Sequence, residues 1–179
     1  MATLIKHRSL VVDSWRLLDE PADRLLITGE DGLLPDLPTG ALIVPLRVWR
    51  LRRDDLLGSG RGAGVWIATD VEPAALTEDV ARLDVIAIRF ASFTDGRGYS
   101  AARLLRERHG YRGELRAIGD VTRDQLSYLA ACGFDAFALR EGEDPQAASA
   151  AFEDFSDTYH ATIERRDPLF RRRLTGAYA

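Results

Sequence analysis

The stretch "LDVIAIRFASFTDGRGYSAARLLRERHGYRGELRAIGD", Leu83–Asp120, holds the pattern on which the fold turns. An apolar run, "LDVIAIRF", leads into a glycine-bearing polar loop, an amphipathic segment "SAARLLRERHG" and a second apolar run, "GELRAIG". Short apolar runs bounded by turn residues read as strands, and the segment between them has helical spacing, so the unit reads strand, helix, strand. The same grammar extends in both directions. "GVWIAT" and "FDAFAL" add two more strands, and "PAALTEDVARL", "RDQLSYLAACG" and "PQAASAAFEDFSDTYH" read as helices. Pro73 and Pro145 suit first-turn positions, Thr122 and Gln125 have capping-box spacing, and Gly110 and Gly133 sit where helices stop. Leu126, Leu129 and Ala130 share a helix face, as do Phe152, Phe155 and Tyr159.

Strands alternating with helices imply an α/β fold, with about four βα units forming a parallel sheet, half-barrel-like or open, linked by right-handed crossovers. Two of the units echo one another, with Asp70 and Val71 matching Asp120 and Val121, and Leu76 matching Leu126. Upstream, "LVVDSWRLL", "DRLLITGEDGLLPDLPTG" and "ALIVPLRVW" read as strands or extended segments, and "RRDDLLGSGRGAG" as a loop. The expected organisation is an N-terminal β-rich segment over 1–57 packed on the core, a glycine-rich loop over 58–64, a βα core over 65–162 and a basic tail over 163–179.

A chain of 179 residues, 46% hydrophobic and 29% charged, can bury one sizeable core. With 28 acids against 24 bases it offers no overall attraction to nucleic acid or an anionic membrane, so any basic function is local. No apolar run approaches membrane-span length, and the single cysteine, Cys132, provides no internal disulfide and no cysteine-built cluster. The expectation is a soluble, cytoplasmic protein. Cys132 reads as a structural thiol at a helix end, and His7, His109 and His160 show no metal-ligand or triad spacing.

In a parallel sheet the loops that leave the strand carboxyl ends lie on one side and collect ligands. The exits here are Thr69 and Asp70, then Arg89 to Ser100, then Gly119 and Asp120, then Arg140 and Glu141, so each carries an acid. In "DGRGYS" the glycines permit close backbone approach and Arg97 can clamp an anion, which makes Gly96, Arg97, Gly98, Tyr99 and Ser100 the candidate anion-binding loop. Arg116, inside a strand among apolar neighbours, needs a partner and is expected to meet Asp120 or Asp95, which adds it to the anion set. Asp95, Asp120 and Arg97 are the candidate catalytic residues, the acids as base or as supports for arginines. The competing structural reading makes Asp95 or Ser100 a helix cap, with Arg97 paired to an acid. Arg103, Arg106 and Arg108 read as a solvated helix face. No metal site and no flavin, nicotinamide or iron–sulfur motif is identifiable; the glycine pattern matches neither the dinucleotide nor the phosphate-loop signature.

The segments "FTDGRGYS", "LRER.GY.GELRA.GDV..DQ" and "CGFDAF", together with the Pro45 to Trp49 "P...W" element, resemble a bacterial family, domain of unknown function 934. Ala91 departs from it, since the family tends to carry a proline shortly before the DGR segment. The resemblance implies a role beside sulfite reductase and the reductase of adenylated sulfate, in assimilatory sulfur reduction, and members are described as oxidoreductases. Three functional readings stand. The first is an accessory protein or oxidoreductase of sulfite reduction that binds an oxyanion or its reductase partner at DGRGYS. The second is an independent, TIM-barrel-like enzyme acting on a phosphorylated or carboxylated small molecule. The third is a structural interaction module, with the Trp15, Trp49 and Trp66 region as its surface. A homodimer that completes the sheet is a further expectation.

Overall fold

A computed structural model describes residues 3–19, 34–154, 161–163, 165 and 167–174. The expected β run within "DRLLITGEDGLLPDLPTG" lies largely outside them, as do Phe155, Tyr159 and His160. One mixed sheet organises the chain: β1 (Thr3–Lys6), β2 (Ser9–Val12), β3 (Arg16–Leu17), β4 (Leu42–Pro45), β5 (Ala63–Ala68), β6 (Val85–Phe90), β7 (Glu114–Gly119) and β8 (Ala136–Phe137). Its order is β2-β1-β8-β7-β6-β5-β4-β3, with β3 to β8 parallel and the β1–β2 hairpin antiparallel at β8. The hairpin turns through His7 and Arg8, both at positive φ, as a tight two-residue turn requires.

The sheet is curled into an open half-barrel, and chain length shows how tightly. β2 and β3 are its opposite edges, yet only Asp13, Ser14 and Trp15 separate them. Four extended residue steps from Val12 to Arg16 reach about 14 Å, whereas a flat sheet would hold its first and eighth strands about 34 Å apart. The edges therefore curve toward each other, and residues 13–15 form a strap across the gap.

β5, β6 and β7 are buried along nearly their whole length, as parallel strands covered on both faces must be. On one face Val65, Ile67, Ile86, Ile88, Leu115 and Ala117 join the main core with the helices. On the other, Ile43, Trp66, Val85, Ala87 and Ile118 form a second cluster, against which Trp15 of the strap packs. The helices are α1 (Leu46–Gly58), α2 (Arg97–Glu107), α3 (Leu126–Ala131), α4 (Pro145–Ser149) and α5 (Leu169–Leu174).

Two local expectations need correction. "LRVW" and the following "RLRRDDLLG" are helix α1, not an extended segment and a loop: Val48, Trp49, Arg52 and Leu56 fall on one buried face. Trp49 anchors it by donating its indole N–H to Asp79 over 2.8 Å. "PAALTEDVARL" forms two short 3-10 turns, Pro73–Leu76 and Val80–Arg82, in place of an α-helix. The C-terminal tail contains α5. Other punctuation is where the sequence puts it: Pro73 and Pro145 open their turns, Thr122 and Gln125 form the capping box, and Gly110 and Gly133 take positive φ.

Candidate functional site at the strand exits

The strand carboxyl ends bring Thr69, Asp70, Asp95, Arg97, Asp120 and Arg140 onto one rim of the sheet. Asp95 is its first fixed point. Its carboxylate accepts the Arg97 guanidinium through both oxygens, at 2.9 and 2.7 Å, and also accepts the Arg97 backbone N–H. The Thr69 hydroxyl donates to it from the β5 exit over 2.5 Å. The Arg97 guanidinium and the Thr69 hydroxyl hold the Asp95 carboxyl well below the usual carboxylate range.

Asp120 is the second fixed point. It accepts the Phe93 backbone N–H at 2.9 Å and Arg140 at 3.1 Å, and the Phe93 amide, then Arg140, lower its pKa. Gln125 completes the lattice by donating to the Phe93 carbonyl at 3.1 Å and the Tyr99 hydroxyl at 3.0 Å. The β6–α2 loop is thus tied to β5, to the β7 exit and to α3. Its tip presents Phe93, which is 56% exposed although its backbone is held on both sides.

Arg97, Gly98, Tyr99 and Ser100 open helix α2 instead of forming a loop, with Gly96 as the N-cap residue, and the two glycines differ in kind. A Cβ on Gly98 would lie 2.5 Å from the Phe90 ring and 3.0 Å from the Thr69 methyl, so this glycine lets α2 pack on β6. Gly96 meets nothing within 4 Å and has an ordinary φ of −72°, so the fold itself does not demand a glycine there. Tyr99 turns inward, its ring between Phe90 at 5.5 Å and Tyr128 at 4.9 Å, and burial pushes its hydroxyl pKa up. Ser100 is exposed on the first turns of α2.

Arg116 does not join this rim. It lies on the opposite face of the sheet from Leu115 and Ala117, and it pairs with Glu114 at 2.7 Å and Asp13 of the strap at 2.8 Å, in place of Asp120 or Asp95. Arg106 likewise departs from a solvated face. It donates to the carbonyls of Gly133, Tyr111 and Gly113 and pairs with Asp135 at 2.7 Å, clamping α2 to the β7 entry. Arg103 does behave as surface, pairing with Glu107 at 3.1 Å. Cys132 is half-buried, and burial raises its thiol pKa, which opposes a nucleophilic role.

Sequence reasoning placed Thr69 at a strand exit and Gln125 in a capping box but gave neither a part in the site, because each acts on a loop that follows a different strand. The signal available was positional: Thr69 directly follows β5, and Gln125 lies in the turn between β7 and α3. Among the described residues, no group of three or more His, Cys, Asp or Glu is placed to hold a metal ion, and no helix is long and apolar enough to cross a membrane.

With the rim described, comparison with known proteins supplies the family. Residues 64–170, more than half of the chain, match the family model described as a bacterial protein of unknown function, DUF934. The chain belongs to this family. The match begins at β5 and takes in the whole rim built from the β5 to β8 exits, so the DUF934 unit contains both fixed carboxylates. No curated protein and no solved structure matches the chain.

The two depressed carboxyls give a pH prediction. Each is more acidic when folded than when unfolded, so each contributes stability above the unfolded pKa of about 4, and that contribution is lost as pH falls through the folded value. Asp120→Asn should therefore lower the thermal midpoint at pH 7 and differ progressively less from wild type toward pH 3. A gap that stays constant over that range would show that the Phe93 and Arg140 contacts do not depend on the charge.

Proposed function

We propose that this DUF934 protein is an accessory protein of assimilatory sulfite reduction that docks the reductase through the β6–α2 loop. One observation carries the reading: Phe93 is presented to solvent on a backbone fixed by Asp120 and Gln125, on a rim where Arg97 and Arg140 pair with Asp95 and Asp120. An exposed aromatic whose ordering cost is already met is the kind of anchor that dominates protein interfaces, with arginines as its charged rim. The alternative of a base-catalysed enzyme is disfavoured by the same network. A general base works best with a pKa near the operating pH, and both Asp95 and Asp120 are held lower than an ordinary carboxyl. The resemblance to the family supplies the sulfur context, and the exposed, backbone-held Phe93 supports this face as the docking surface.

An oxyanion at the same loop is the second reading, favoured by Gly96 and by Arg97, whose Nη1 is left outside its fork to Asp95. The test measures binding of the purified chain to the sulfite reductase and to the adenylylsulfate reductase of the same bacterium. Phe93→Ser should weaken the complex about 30-fold, in the range of an interface hot spot, while leaving the thermal midpoint unchanged because the side chain is exposed. In parallel, sulfite and sulfate are added to wild type and Arg97→Ala during thermal unfolding; a midpoint rise confined to wild type would move the function to the oxyanion. No complex with either reductase and no rise with either anion would overturn both readings.

A further inference from the structure

Phe93 does not stand alone. Tyr128 of α3 is 58% exposed, as open as Phe93 at 56%, and the two are joined through the rim. Gln125 donates to the Phe93 carbonyl and to the Tyr99 hydroxyl, and the Tyr99 ring centroid lies 4.9 Å from that of Tyr128. The exposed rings therefore belong to one fixed lattice that runs from the β6–α2 loop across the start of α2 to α3. Its arginines are already matched. Arg97 faces Asp95, Arg103 faces Glu107, Arg123 faces Asp154 and Arg140 faces Asp120, at 2.7 to 3.1 Å.

We propose that Phe93 and Tyr128 form one docking strip, and that it takes an uncharged, apolar surface segment of the partner. The inference rests on the docking reading of Phe93 and extends it. Two rings on a lattice held by hydrogen bonds and stacking can cover apolar side chains with little ordering left to lose, and aromatic anchors of this kind concentrate interface energy. A charged segment gains little here. To engage a partner acid, an arginine would have to leave a carboxylate of its own rim, which would then face the incoming charge of the same sign, and a basic segment would meet the arginines themselves.

Cys132 is the built-in reporter. It is the single cysteine of the chain, half-buried and one helical turn beyond Tyr128, whose carbonyl accepts its backbone N–H at 3.0 Å. The full chain is titrated with sulfite reductase and with adenylylsulfate reductase at increasing salt, and labelling of Cys132 by a maleimide is followed by mass spectrometry of its peptide. Tyr128→Ser should weaken the complex about tenfold, and Tyr128→Phe by less than about threefold, because the ring and not the hydroxyl is covered. Affinity should change less than about threefold between about 0.05 and 0.5 M salt, since no ion pair forms across the contact. Cys132 should label more slowly in the complex than in the free chain. The labelling and the salt series use the wild-type protein, so they decide even where Tyr128→Ser folds poorly. Wild-type affinity in a folded Tyr128→Ser, or an unchanged Cys132 labelling rate, would overturn the strip while Phe93 docking stands. A steep loss of affinity with salt would overturn the uncharged partner. No complex with either reductase, or full affinity in Phe93→Ser, would overturn the docking reading and the strip with it.

Discussion

Arg116→Ala is expected to destabilise the protein by about 3–5 kcal/mol, the range for removing one partner from a buried ion pair. Arg116 is 2% exposed, and its guanidinium bridges Glu114 of its own strand to Asp13 of the strap, while Lys6 of β1 holds the other Glu114 oxygen at 2.7 Å. Two cations and two carboxylates thus balance inside the half-barrel. Deleting the arginine leaves Glu114, with its side chain 6% exposed, and Asp13, at 14%, facing one another with only Lys6 to compensate. Asp13 has a second task, since its other oxygen accepts the Trp15 N–H at 3.0 Å and shapes the strap that joins the two sheet edges. The loss should therefore appear as a thermal midpoint lower by about 6–20 °C, taking 2–4 °C per kcal/mol for a chain of this size, and as easier proteolysis within residues 13–19. Replacing all three charged residues together, as Asp13→Asn, Glu114→Gln and Arg116→Met, should cost much less, because no uncompensated charge stays buried. A single Arg116→Ala variant within about 1 kcal/mol of wild type would mean that the strap is held by Trp15 and Trp66 packing and that the ion pairs are incidental.

The same arginine shows where sequence reading stops. That an arginine among apolar neighbours in a strand must be paired follows from the cost of burying a lone charge. Which acid pairs with it does not, because Asp13 lies 103 residues away and reaches Arg116 only when the sheet curls. The parallel strands were legible because β5 to β8 are runs of apolar residues punctuated by glycine and aspartate. Helix α1 was not, because its buried face includes Arg52, whose guanidinium donates to the Pro35 carbonyl and to Asp55, so the apolar stripe is interrupted by a charge that the fold satisfies. The opposite error occurs at 73–83. Leu76, Val80 and Leu83 have helical spacing, but Asp79 is drawn to Trp49 and the backbone breaks into two 3-10 turns. In the rim, the Asp95–Arg97 pair is local and could be read from two residues of loop, whereas Thr69, Gln125 and Arg140 arrive from other strand exits.

Gly119→Val is expected to cost about 2–4 kcal/mol, combining backbone strain and overpacking, and, on the proposed docking function, to abolish binding of the reductase as well. Gly119 has φ of +91°, where a β-branched residue is strained, and a Cβ there would lie 2.3 Å from the Phe90 carbonyl oxygen. That oxygen is backbone, so no side chain can swing aside to relieve the contact. It is also the acceptor for the Asp120 N–H at 2.9 Å, the bond that sets where the Asp120 carboxylate begins. Pushing Phe90 and Gly119 apart displaces Asp120 from the Phe93 N–H and from Arg140, so the aromatic loses the fixed backbone that makes it an anchor. Thermal unfolding and reductase binding should fall together in Gly119→Val, whereas Phe93→Ser loses binding alone. On the proposed docking function, the contrast separates two meanings of an important residue: Phe93 would supply the contact, and Gly119 the geometry that holds its backbone in place. If Gly119→Val melts early yet binds the reductase with wild-type affinity, the docking face is not organised by Asp120 and must lie elsewhere on the rim.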